Sequence, residues 1–141
     1  MDDLQILHDD HALLSAEVVH VVALIKSLEQ NPGYTAPLFV ELSRQVELLR
    51  HQLVEHFAFE EHNAFPRVRE AYSGAGPQLE HLCQQHEKVL AAFDEMLASL
   101  QATVEHDWST AVARSDHFES VFIEHATAEA ELLRELSIPP E

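Results

Sequence analysis

Cysteine occurs once, glycine three times and proline six times in this chain of 141 residues. The lone Cys83 cannot close an intrachain disulfide, which excludes a disulfide scaffold and fits a reducing compartment. So few glycines and prolines, gathered mostly at a few junctions, leave long uninterrupted elements and point to an all-α class. Positive charge is also scarce. Lys and Arg number 8 against 25 Asp and Glu, a formal net charge of -17. Such a surface repels phosphate backbones and anionic lipid alike, so neither nucleic acid nor membrane is expected as a partner. The start, Met1-Asp2-Asp3-Leu4, lacks a basic region followed by an apolar one. No run approaches the roughly 18 apolar residues of a membrane span. A soluble, cytoplasmic protein is the expectation.

Apolar content is ample for a core, at 46% of residues, and the length predicts one domain over 1–141. Leu4, Leu7, Leu14, Val18, Val22 and Ile25 recur at helical spacing until Asn31-Pro32-Gly33 stops the run. Thr35 is placed to cap a second helix with Pro37 in its first turn, and Pro66 should kink that helix near its end. Ser73-Gly74-Ala75-Gly76-Pro77 is the clearest break, combining a glycine terminator with a proline suited to open a helix. Asp107 or Ser109 can cap the last helix, which ends before Ile138-Pro139-Pro140. The four helices are predicted at about 3–30, 37–72, 78–104 and 108–136, and their short connections imply antiparallel neighbours.

A doubled pattern is laid over these helices. His11 precedes His56 and Glu60; His86 precedes His125 and Glu129. Each half supplies one lone histidine and one His-x-x-x-Glu pair, an approximate internal repeat that suggests pseudo-twofold symmetry. An i,i+4 pair on a helix is separated by about 40° of rotation and about 6 Å of rise, so both side chains project toward one point. Carboxylates and histidines on facing helices of a bundle are the parts of two-metal centres. One division of donors gives each metal the two histidines of one half, with both glutamates bridging.

Helical phase selects these residues from eleven histidines. His11 has Leu4, Leu7, Leu14 and Val18 along its stripe, and His86 has Leu79, Leu82, Val89 and Phe93. His56 follows Leu49 and Leu53, and His125 lies among Phe118, Phe122, Ala128 and Leu132. Glu60 and Glu129 share these inward faces. A lone histidine in an apolar stripe is more often a hydrogen-bonded core residue than a ligand. Two inward carboxylates with few cations in phase, however, need a partner of high positive charge. A polar core network that binds nothing is the alternative. His20, His51 and His81 point well away from the chosen faces, and His62, His106 and His117 read as surface or helix-end residues, with His117 nearest to the His125 face. His8, at i-3 from His11, is either a further ligand or an entrance residue. Cys83, at i-3 from His86, is either a small core residue or a redox or ligating thiol.

Asp10-His11-Ala-Leu-Leu, His56-Phe-Ala-Phe-Glu60-Glu61 leading to Phe65-Pro66, His86-Glu-Lys-Val-Leu and His125-Ala-Thr-Ala-Glu129 together resemble the hemerythrin-like, or HHE cation-binding, domain. The resemblance covers nearly the whole chain, and it implies an up-down four-helix bundle around a carboxylate-bridged, non-haem di-iron centre. Oxygen-carrying hemerythrins have His-x-x-x-His on the third helix, whereas the residue four before His86 is Leu82, and His81 misses by one position. The six-residue set instead resembles members involved in iron sensing or in repair of iron-sulfur centres. Those members usually carry a further cysteine-bearing segment, which does not occur in this sequence.

Mixed imidazole and carboxylate donors from four helices suit two iron ions better than one tetrahedral zinc, with manganese as the alternative metal. The expected function is binding or sensing of dioxygen, nitric oxide or peroxide at open positions on the metals. Iron storage, delivery or iron-sulfur repair is the second reading, and a di-iron oxidase or peroxidase the third. Enzyme activity is left open, since no substrate-pocket signature is evident.

Overall fold

The computed structural model describes residues 3–31, 35–102 and 107–137, with side chains from residue 9 onward except those of Thr35 and Ser137. Four helical rods carry the chain. The first is α1, Asp3–Gln30, and the second is α2, Thr35–Phe59, which passes through a π-helical turn, Glu60–Ala64, into α3, Phe65–Ala71. A 3-10 turn, Ser73–Ala75, leads into α4, Gly76–Gln101, and α5 spans Ser109–Ser137. No strand occurs among the described residues. The rods pack in a ring: α1 lies against α2 and α5, α5 against α4, and α4 more loosely against α2 and α3. This is the four-helix bundle that the resemblance implies, built from the four helices that the periodicity predicts.

Apolar side chains meet in two clusters at different heights. The larger gathers Val18, Ile25, Leu49, Leu53, Phe93 and Phe118, all almost fully buried. The smaller joins Ala64, Phe65, Val68, Leu79, Leu82 and Leu132 at the end where α2 continues into α3. Burying a Leu, Val or Phe side chain contributes about 1.5–3 kcal/mol, so these clusters hold the rods in place. The surface ion pairs Lys26–Asp116 and Arg50–Asp94, each 3.1 Å, contribute little by comparison.

The helix boundaries differ from expectation in ways that have local causes. α2 and α4 each open about two residues earlier than predicted, at Thr35 and Gly76. Thr35 is therefore itself helical, and its expected capping side chain lies outside the described ones. The expected cap on the last helix is present: Asp107 Oδ1 accepts from the Ser109 backbone N–H at 3.1 Å and from the Ser109 hydroxyl at 2.7 Å. Glycine does not terminate α3. Its last residue is Ala71, Tyr72 leaves the helical region at φ -135 and ψ 86, and Gly76 sits in the right-handed region at φ -50 and ψ -52.

Pro66 acts differently from a simple kink. A proline lacks an N–H, and its ring crowds the carbonyl four residues earlier, here that of His62. The chain accommodates this with a wider turn, in which the Phe65 N–H donates to the Glu60 carbonyl five residues back.

One expectation about the composition is corrected. Asp9–Gln30 has a mean hydropathy of 1.5 and is, by length and composition, apolar enough to cross a membrane. The reason lies in an outward face that is itself partly apolar, with Leu13 69% and Val19 60% exposed, while Val18, Val21, Ile25 and Leu28 enter the bundle core.

Candidate metal centre

His11 on α1, His56 on α2, Glu60 in the π turn, His86 on α4 and His125 with Glu129 on α5 converge between the two apolar clusters. All six residues singled out by helical phase meet there. Glu60 and Glu129 are fully buried, and the side chains of His56, His86 and His125 are 3–4% exposed; that of His11 is 17% exposed. The Nε2 atoms of all four histidines turn toward the two carboxylates. His11 Nε2 lies 2.9 Å from Glu129 Oε1 and 3.7 Å from Glu60 Oε2. His56 and His86 approach Glu60 Oε1 at 3.3 and 3.0 Å, and His125 approaches Glu129 Oε2 at 3.1 Å.

These approaches are not hydrogen bonds. The Nε2 atoms of His56, His86 and His125 and all four carboxylate oxygens of Glu60 and Glu129 are buried without an aligned partner among the described residues. Orphaning so many buried polar atoms would cost several kcal/mol, unless the lone pairs face a common acceptor of electron density. A metal ion supplies one. Donors at right angles on an ion with bonds of about 2.1 Å stand about 3 Å apart, which matches the spacing.

The six form two overlapping groups. His11, His56, Glu60 and Glu129 make one, and Glu60, His86, His125 and Glu129 the other, with donor atoms inside each within 4.8 Å of one another. Both glutamates are common to the two, and the histidines divide between the halves of the sequence. Ring contacts follow the same division: His11 meets His56 edge-on at 4.9 Å and His86 meets His125 edge-on at 4.8 Å. Phe57 stacks on His86 at 4.0 Å, with Phe65 nearly parallel at 5.9 Å, so this ring is held between two phenyl groups.

Electrostatics favour the unprotonated state in three of the six. Burial drives the His125 imidazolium down to about 3, aided by repulsion from His86 and opposed by Glu60, so the ring is neutral near pH 7. His56 is lowered as well, again chiefly by burial, with Glu60 pulling the other way. Burial raises Glu60, yet the approach of His11 and His86 and the charge of His56 outweigh it and hold the carboxyl at about 2.

Three supporting residues escaped the reading of the sequence. With Nε2 facing inward, the ring proton sits on Nδ1 and needs an acceptor. His56 Nδ1 is 3.4 Å from Asp10 Oδ2, His86 Nδ1 is 3.2 Å from Glu61 Oε2 and His125 Nδ1 is 2.8 Å from Gln85 Oε1. Each supporter is a sequence neighbour of one candidate donor and serves the donor on the next rod. Such adjacency was the available signal. A neighbour on a helix is turned by about 100° and so faces the flanking rod.

The remaining candidates separate cleanly. His20, His51, His62 and His117 are exposed, and His51 pairs with Glu55 at 3.0 Å. His81 is exposed too, but it is not merely solvated: its Nε2 lies 3.2 Å from Gln85 Nε2. His106 and the side chain of His8 lie outside the described residues. Cys83 is half-buried against the smaller apolar cluster, with Glu61 and His86 donor atoms within 4.8 Å. Burial pushes its thiol up, and Glu61 and Glu60 push it further, so the thiol stays protonated near neutral pH.

The rods and the donor set define a helical-bundle protein built to hold cations. The chain matches the hemerythrin HHE cation-binding domain over residues 2–136 and belongs to that family. Comparison with curated proteins and with solved structures gave no match.

Proposed function

We propose that the chain holds two non-haem iron ions and binds or senses a small ligand such as dioxygen, nitric oxide or peroxide. The carrying observation is the pair of overlapping donor groups that share Glu60 and Glu129. On this reading His11 and His56 would hold one ion and His86 and His125 the other, with Glu60 and Glu129 within reach of both. Mixed nitrogen and oxygen donors in this number favour iron, with manganese the nearest alternative, over a closed tetrahedral zinc site. Bound iron supplies reversible redox chemistry and open positions for a diatomic or peroxide ligand.

The protein's own residues orient and enclose. Asp10, Glu61 and Gln85 fix three imidazoles from behind, and Phe57 and Phe65 clamp one of them and keep water from it. His11 is the least buried member of the set, which favours entry of a small ligand from the α1 side. A groove of about 340 Å³, lined by Asp10, Leu13, Gln52, Glu55, His56 and Phe59, lies on that side. The half-buried, protonated Cys83 fits a reducing, cytoplasmic location.

Metal analysis after anaerobic loading with Fe(II) tests the reading: two ions per chain are expected, and fewer than about one sinks it. Exposure of the reduced, loaded protein to oxygen or nitric oxide should then produce charge-transfer absorption. The net charge of -17 favours a second reading, in which the acidic surface gathers Fe(II) for storage, delivery or cluster repair. That reading gains if the loaded protein gives no new absorption and instead yields its iron readily to a chelator.

A further inference from the structure

His81 sits one residue out of register for the centre and is exposed, yet it is joined to it. Its Nε2 lies 3.2 Å from Gln85 Nε2, and Gln85 Oε1 lies 2.8 Å from His125 Nδ1. Gln85 is 7% exposed and His125 2%, so these contacts run from solvent to the inner face of the centre. The hydrogen bonds can run in only one sense. When the Nε2 lone pair of His125 faces inward, the ring proton is on Nδ1 and donates to Gln85 Oε1. The amide oxygen is thereby committed, and the NH2 must face outward, where it donates to the lone pair on His81 Nε2.

We propose that Gln85 is a positioning residue for His125 and that His81 decides which way the Gln85 amide points. This rests on the two-metal reading above. The other two supported rings meet carboxylates, Asp10 behind His56 and Glu61 behind His86, and either oxygen of a carboxylate accepts. An amide has one accepting end. Turned about, it would set its NH2 against the His125 Nδ1–H, donor facing donor, and tilt the ring away from the centre. His81 removes that alternative by accepting from the NH2 on the far side. A neutral amide also draws the imidazole proton less than a carboxylate does, so His125 is the weaker electron donor of the pair it forms with His86.

Cobalt(II) is a suitable probe, because coordinated imidazole N–H protons give shifted, exchangeable proton lines in its loaded form. Gln85→Leu should lower the affinity for one of two cobalt ions by about 10–100-fold and open one such line to rapid solvent exchange. Gln85→Glu should restore the affinity, keep the line and move its position, a recovery that a merely space-filling role would not give. His81→Ala should weaken the same ion by less than Gln85→Leu does and speed exchange of the same line. The positioning role is overturned if Gln85→Leu keeps wild-type affinity and spectrum. Should Gln85→Leu not fold, it is overturned equally by Gln85→Glu and His81→Ala spectra identical to wild type. A wild-type chain that takes up no cobalt defeats the two-metal reading itself, which is a different outcome from unchanged variants of a protein that loads.

Discussion

Glu60 and Glu129 are carboxylates with no exposed surface, each set between histidines from separate rods. Because both belong to both donor groups, neither can be lost without damaging the whole centre. Glu129→Ala should reduce uptake from two ions to at most one per chain, with a loss of affinity beyond the roughly 100-fold upper range for supporting residues. His51→Ala, at an exposed position paired with Glu55, should leave uptake unchanged; isothermal metal titration compares the two. Equal losses would contradict the geometry. The convergence of the six side chains was legible in the sequence because apolar neighbours at helical offsets report which way a side chain faces. Their supporters were not, since Asp10, Glu61 and Gln85 face the flanking rods, and periodicity on one helix carries no information about which residue lies across from it.

At the scale of the helix, the π turn at Glu60–Ala64 departs most from the predicted elements. Proline signals a disturbance without saying how it is absorbed, and here a hydrogen bond reaching back five residues absorbs it before Pro66. The wider turn lets Glu60 enter the centre while Glu61, next to it, reaches the back of His86. Pro66→Ala restores a donor for the His62 carbonyl and favours an ordinary α turn. The variant should fold at least as stably without metal but bind it more weakly, seen as opposite shifts in apo melting temperature and metal affinity. Gly74 allows a simpler test. It lies in the 3-10 turn Ser73–Ala75, is not followed by proline, and an added Cβ meets nothing within 4 Å beyond its chain neighbours. Gly74→Ala should therefore stabilise the chain by about 0.4–1 kcal/mol in denaturant titration.

Considered as a whole, the bundle encloses a layer of ionisable groups between two apolar clusters. Its stability must depend on acid. An unfolded histidine takes up a proton near pH 6.5, whereas folded His125 does so only near 3, so between these values the unfolded chain binds more protons. Glu60 acts in the same direction between about 4.5 and about 2. The metal-free protein should lose stability steadily as the pH falls from about 6.5, and a melting temperature that stays flat from pH 7 to 4 would contradict the burial of these groups. Metal binding to the folded state alone should raise the melting point, by about 2.7 kcal/mol of stability at a hundredfold excess over the dissociation constant, and chelation should reverse it.

The supports behind the histidines follow one direction around the bundle. α1 braces α2 through Asp10, the π turn braces α4 through Glu61, and α4 braces α5 through Gln85. No described residue of α5 completes the circuit by bracing His11, the least buried of the six. Three imidazoles are braced from behind, and the fourth, 17% exposed, is the least buried of the set. Loss of a bound ion should therefore begin on the α1 side, and His11→Ala should speed its transfer to a chelator while the four rods stay closed around the rest.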